Sequence, residues 1–191
     1  MRLPRLLVLT DRTQCAGDLA GTVAAAVDAG ARAVVLRDKD LPLPQRTALA
    51  EQIAGLLAPV DGVLVWAGAA GSAGHPAVQL SAADPLPGPR PALVGRSCHS
   101  AAELTRARAE GCDWAFVSPL AATASKPGYG PALGAAGLAA LAPLGPPVFA
   151  LGGVAPGDVA GCRAAGAYGV AVMGPVMRDP SVVARYLAAG V

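Results

Sequence analysis

The sequence predicts an α/β chain folded as a single (β/α)8 TIM barrel, and three observations lead there. Eight short apolar runs recur along the 191 residues, most of them are apolar on both faces, and Ala/Leu-rich stretches of helical character separate most of them. Runs of that kind are how parallel strands buried between two layers read, and strand–helix alternation favours a parallel sheet. Divided among eight units, the chain allows about 24 residues per βα repeat, short for a barrel that usually takes roughly 200 or more. An open doubly wound sheet is the competing architecture. It generally needs fewer strands and a GxGxxG turn after the first of them, and no such turn follows the first run here.

The expected strands are Arg5–Thr10, Ala33–Arg37, Gly62–Val65, Ala77–Leu80, Ala92–Gly95, Asp113–Val117, Val148–Leu151 and Gly169–Met173. The expected helices are Gly17–Ala29, Leu43–Ala58, Ser100–Glu110, Leu133–Leu141, Pro156–Ala165 and Pro180–Ala189. Ser100 followed by Glu103 has capping-box spacing. Pro156 and Pro180 fall in first turns, where a missing N–H is harmless. Gly30, Gly111 and Gly166 each close an Ala-rich stretch, as a left-handed cap requires. Gly68–His75 has room for one short helix, whereas Asp84–Pro91 carries four prolines, so the helix after strand 4 is expected to be reduced or missing.

Composition narrows the function. Hydrophobic residues are 53% and charged residues 15% of the chain, enough to build a packed core. Aromatics are only 4%, so Ala, Val and Leu are expected to fill that core. A net charge of +2 with no basic run argues against nucleic acid or a membrane surface as partner. No apolar stretch approaches the roughly 18 residues of a membrane span. The apolar run after Met1-Arg2-Leu3-Pro4-Arg5 is interrupted at Asp11 before a signal core is complete, so a cytoplasmic location is expected. The four cysteines have neither CxxC spacing nor nearby histidine clusters, and no metal ligands are assigned.

In a barrel, chemistry sits at the C-terminal strand ends, and the polar residues of this apolar chain cluster there. Strand one delivers Thr10, Asp11 and Arg12; strand two, Arg37 and Lys39; strand five, Arg96, Ser97 and His99. After strand six come Ser118 and a loop with Thr123, Ser125 and Lys126, suited to gripping an anion. Gly152, Gly153 and Gly174 follow strands seven and eight, where barrels commonly bind phosphate through backbone N–H groups. Histidine as a residue type can exchange protons near neutral pH, which makes His99 the candidate acid/base. Cys98 is assigned to packing, since neighbours on an extended segment point opposite ways. His75, in the Gly/Ala-rich loop, is expected to be structural.

In order along the chain, Leu-Thr-Asp, Leu-Arg-x-Lys-Asp, Val-Gly-Arg-Ser-x-His-Ser, Thr-x-Ser-Lys-x-Gly, Ala-Leu-Gly-Gly-Val and Gly-Val-Ala-Val-Met resemble the thiamine phosphate synthase superfamily over residues 6–188. That resemblance implies a barrel acting in thiamine biosynthesis and a small-molecule thiazole phosphate substrate, with homo-oligomerisation possible. It also implies one of two activities. The synthase couples a hydroxymethylpyrimidine pyrophosphate to a thiazole phosphate with Mg²⁺ and releases pyrophosphate. The thiazole tautomerase isomerises a thiazole carboxylate phosphate by proton transfer, without a metal or other cofactor. Arg37 and Lys39 match the synthase pattern that holds pyrophosphate, but Val35 stands where its Gln is expected. Its Asn-Asp at strand three is replaced within Val65-Trp66-Ala67-Gly68, which leaves Asp84 as a lone match to a metal-binding Asp. Val94–Ser100 is similar to the tautomerase form. The sequence is therefore read first as a tautomerase. In that reading His99 is catalytic and Arg37, Lys39, Arg96, Ser97, Thr123, Ser125 and Lys126 bind substrate. Gly152, Gly153 and Gly174 hold the phosphate. The synthase and a non-catalytic thiazole-phosphate-binding or regulatory relative remain the alternatives.

Overall fold

The computed structural model describes residues 3–122 and 132–191. Eight parallel strands close into a barrel in chain order: β1 (Leu6–Leu9), β2 (Ala33–Leu36), β3 (Val63–Ala67), β4 (Ala77–Leu80), β5 (Leu93–Cys98), β6 (Trp114–Val117), β7 (Val148–Leu151) and β8 (Gly169–Val172). Closure is made by β8 against β1, with Leu6 opposite Val170 and Val8 opposite Val172. A closed ring leaves no strand edge unpaired. The helices are α1 (Leu19–Asp28), α2 (Leu43–Leu57), α3 (Ala101–Ala109), α4 (Gly134–Leu141), α5 (Val159–Ala164), α6 (Gly174–Arg178) and α7 (Val182–Ala188).

Strand alternation sorts the apolar residues into two cores. Leu6, Val8, Val34, Leu36, Val78, Val94, Val117, Val148 and Val170 point outward and pack with helix residues such as Val23, Ile53, Leu104 and Leu138. Leu7, Leu9, Ala33, Val35, Val63, Val65, Trp114, Phe116 and Phe149 point inward. The outer layer is the aliphatic core the composition suggests. The barrel interior is not, because its bulk comes from Trp114, Phe116 and Phe149, with the two phenyl rings edge to face at 6.2 Å. A few large rings fill a small barrel that four-residue strands otherwise line thinly. Gly95 makes this possible, because a Cβ there would lie 2.0 Å from the Trp114 indole.

The helix starts follow local chemistry. Asp18 caps α1 by accepting the Gly21 N–H at 2.8 Å, and Ser100 caps α3 by accepting that of Glu103. Gly30, Gly111 and Gly166 have the positive φ expected of them. Pro156 opens a short 3₁₀ turn leading into α5. No helix follows β3 or β4, so the room for a short helix at Gly68–His75 is taken by turns at Gly71 and Gly74. The five-residue α6 was not anticipated, being too short for periodicity to reveal.

Candidate functional site

Inward parity continues past the strand ends and decides which polar residues share the barrel mouth. On β5, Val94 and Cys98 belong to the outer layer, so Gly95 and Ser97 face inward and His99 follows in the same register. Ser97 accepts a 3.1 Å hydrogen bond from the Gln79 amide, whose oxygen accepts the Trp114 indole N–H at 2.6 Å. The Ser97 hydroxyl is thereby oriented by a buried network. Gln79 was missed in the sequence, although a lone amide inside the run Ala77–Leu80 was the signal for it.

His99 is held from two sides. Its backbone N–H donates to the Glu103 carboxylate at 2.5 Å, so the start of α3 fixes its main chain. Its Nδ1 lies 2.9 Å from the Ser118 carbonyl oxygen and 3.3 Å from the Ser118 hydroxyl. A carbonyl only accepts, so Nδ1–H is the donor and Nε2 carries the lone pair in the neutral ring. This tautomer orients the imidazole for proton work at Nε2.

Arg96 is a correction. Its side chain is fully buried on the outer side of β5, ion-paired with Glu110 at 2.7 Å. One guanidinium nitrogen donates to the carbonyls of Ser81 and Asp84 at 2.9 and 2.8 Å. The strand's alternation turns it away from the interior, and it does not join Ser97 and His99. Buried Cys98 agrees with its packing assignment, and burial pushes its thiol up to about 12. His75 stacks on Trp66 at 4.4 Å, outside the barrel mouth.

At the β1–β2 side, buried Asp38 accepts from the Thr10 hydroxyl at 2.6 Å and the Arg12 N–H at 2.8 Å. The Thr10 hydroxyl in turn accepts the Arg37 N–H at 2.8 Å. Arg12 also grips Asp40 through two nitrogens, which holds that carboxyl below its usual range. Asp11 is absorbed in the turn that follows, accepting from Thr13 and Gln14. These acids lock the loops and leave Arg37 and Lys39, both exposed, as the cations that β2 presents.

Lys39 extends to the end of β3. A Cβ on Gly68 would lie 3.3 Å from both its Cε and its Nζ. Although Lys39 is exposed as a whole residue, partial desolvation of its ammonium end beside Gly68 lowers its pKa, and Asp84 offsets part of that. Asp84 accepts the Ser81 N–H at 2.7 Å and is also bound by the Ala69 N–H. Burial would raise its carboxyl, but these donors and Lys39 outweigh it and hold the pKa down. The Mg²⁺ implied for the synthases finds a poor donor set here. The end of β3 offers Trp66, Ala67 and Gly68, Asp84 is already engaged by N–H donors beside an ammonium, and no group of three potential ligands occurs among the described residues. Mg²⁺ prefers carboxylate oxygens in octahedral array, so these residues do not fit it.

Gly152 and Gly153 adopt φ of +91° and +70° and lie against the segment after β6. A Cβ on Gly153 would come within 2.6 Å of the Ala122 carbonyl oxygen. Gly174 starts α6 beneath the Gln14–Arg178 hydrogen bond, where a Cβ would lie 2.7 Å from Gln14 Oε1. Thr123, Ser125 and Lys126 lie outside the described residues.

A closed barrel presenting Arg37, Lys39, Ser97 and His99 at the C-terminal ends of its strands has the arrangement of the (β/α)8 enzymes. Comparison with known proteins identifies the group. The model of the thiamine monophosphate synthase family matches residues 6–176, and the chain belongs to that family. It is 40% identical over 196 residues to the thiamine-phosphate synthase of Methanoculleus marisnigri, covering 94% of this chain and 90% of that one. With a putative thiamine-phosphate synthase of Geobacter sulfurreducens it shares 35% over 195 residues, 92% of this chain and 87% of the other. Among solved structures, the thiamine phosphate pyrophosphorylase of Pyrococcus furiosus superposes with a TM-score of 0.83 at 22% identity, covering 97% and 94% of the two chains. These names favour the synthase alternative over the tautomerase that the sequence suggested first. No helix among the described residues is long and apolar enough to cross a membrane.

Proposed function

We propose that the chain is a transferase of the thiamine-phosphate synthase type, joining a hydroxymethylpyrimidine pyrophosphate to a thiazole phosphate. Kinship carries this reading: two relatives above 30% identity across nine-tenths of the chain bear that name, one as putative. In the reaction, the thiazole nitrogen lone pair forms a bond to the pyrimidine methylene carbon. The carbon–oxygen bond to pyrophosphate breaks, and its electron pair leaves on the pyrophosphate. No proton need move, so the protein's work is alignment and stabilisation of departing negative charge. In this reading Arg37 and Lys39 meet the pyrophosphate, Ser97 and His99 orient the rings, and Gly152, Gly153 and Gly174 receive the thiazole phosphate. With both precursors supplied, the chain is expected to form thiamine phosphate and pyrophosphate in equal amounts, read by chromatography. A folded sample that forms neither, with or without Mg²⁺, rejects the proposal.

One observation favours the isomerase as a second reading: the end of β3 lacks a carboxylate while His99 presents an oriented imidazole at the mouth. Solvent-proton exchange into a thiazole carboxylate phosphate, followed by NMR without coupling activity, would transfer the assignment to it.

A further inference from the structure

Resting on the transferase reading for its ligand, we infer that the Lys39 ammonium takes the place of the divalent ion, so that this barrel grips pyrophosphate without a metal. The end of β3, where the resemblance puts an Asn-Asp pair, carries no carboxylate. Glycine at position 68, with φ of +97°, leaves the space a side chain would fill, and Lys39 Cε and Nζ border that space at 3.3 Å. The Lys39 ammonium thus lies at the end of the strand to which the resemblance assigns a metal-binding pair. Asp84, the remaining candidate ligand, accepts the Ser81 and Ala69 N–H groups and faces Lys39, so its charge is already matched.

The exchange has a chemical logic. A divalent ion bound to pyrophosphate neutralises charge that accumulates as the carbon–oxygen bond breaks. An ammonium is a compact point charge with three donors and can meet the same oxygens. Arg37, two residues earlier on the same strand extension, brings a planar fork suited to two phosphate oxygens at once. Arg46 lies behind this pair, donating to the carbonyls of Leu36 and Ala67 with its guanidinium 3.7 Å from the Trp66 ring. It ties the ends of β2 and β3 together, so the base of Lys39 and the space above Gly68 keep their relation. Trp66, standing within the replaced stretch, is therefore used to brace the cation's platform.

The test is calorimetric titration of inorganic pyrophosphate into the whole chain, in EDTA and in MgCl2, for the wild type and Lys39→Gln. The wild type is expected to bind with Kd values within about threefold in the two buffers. Lys39→Gln, folded by circular dichroism, should weaken binding in EDTA about tenfold or more, as loss of a charge-assisted contact requires. Binding that appears only with Mg²⁺ overturns the inference, as does a Lys39→Gln chain that binds like the wild type in EDTA. Thiamine phosphate formation is measured on the same samples to separate the two proposals. Metal-free pyrophosphate binding without product rejects the transferase and keeps the metal-free grip. Product together with strictly Mg²⁺-dependent binding does the reverse.

Discussion

The end of β5 and the residue after it carry four polar or reactive side chains in a row, Arg96, Ser97, Cys98 and His99, and the alternation of the extended chain gives them opposite duties. The inner face presents a hydroxyl oriented by Gln79 and an imidazole oriented by Ser118. The outer face buries a guanidinium and a thiol against loops and helix. Neighbourhood in sequence therefore says little about neighbourhood at the mouth; register says much more.

Breaking the outer face should have the largest effect. Arg96→Met leaves the partly buried Glu110 with Arg106 as its remaining partner and removes the donor to the Ser81 and Asp84 carbonyls. Leaving buried carbonyls without their donor costs about 1–3 kcal/mol, which urea denaturation would register as a lowered midpoint; a loss below about 1 kcal/mol would contradict the bracing role. Gly95→Ala comes next. Its methyl would lie 2.0 Å from Trp114, and overpacking of this kind costs about 1–3 kcal/mol, with a changed tryptophan emission spectrum.

His99→Ala should leave stability within about 1 kcal/mol, since it removes a partly exposed ring at the mouth. It sharpens the functional side of the comparison. Under the transferase reading, product formation falls less than tenfold, because no proton transfer is needed; a drop of about a hundredfold or more would point to acid/base work instead. The smallest effect is chemical. With its thiol pushed up to about 12, Cys98 holds almost no thiolate at pH 8 and should resist iodoacetamide in the native state. Cys15, partly exposed, should be labelled first; mass spectrometry showing Cys98 modified first would mean that the outer face opens.

The barrel was legible because most strands are short, doubly apolar runs and the capping residues mark where helices begin. Closure into a ring, rather than an open sheet, followed from the number of runs. The aromatic interior was hidden because percentages do not say where Trp114, Phe116 and Phe149 go. Arg96 was misread for a related reason: its place beside Ser97 and His99 suggested a shared site, and only strand alternation separates them. Gln79, Asp38 and Arg46 act through contacts 18 to 28 residues away, to Ser97, Thr10 and Ala67 among others, which no local pattern reveals.

Arg96 has a consequence for how short such a fold can become. Where the first two units spend 10 and 15 residues on a helix to cover the wall, one long side chain here reaches over the rim and fastens the following connection by its main-chain oxygens. The proline-rich span beyond that fastening is tied down again by Arg90, which donates to the Gly111 carbonyl and pairs with Asp113, so two arginines do the covering work of a helix.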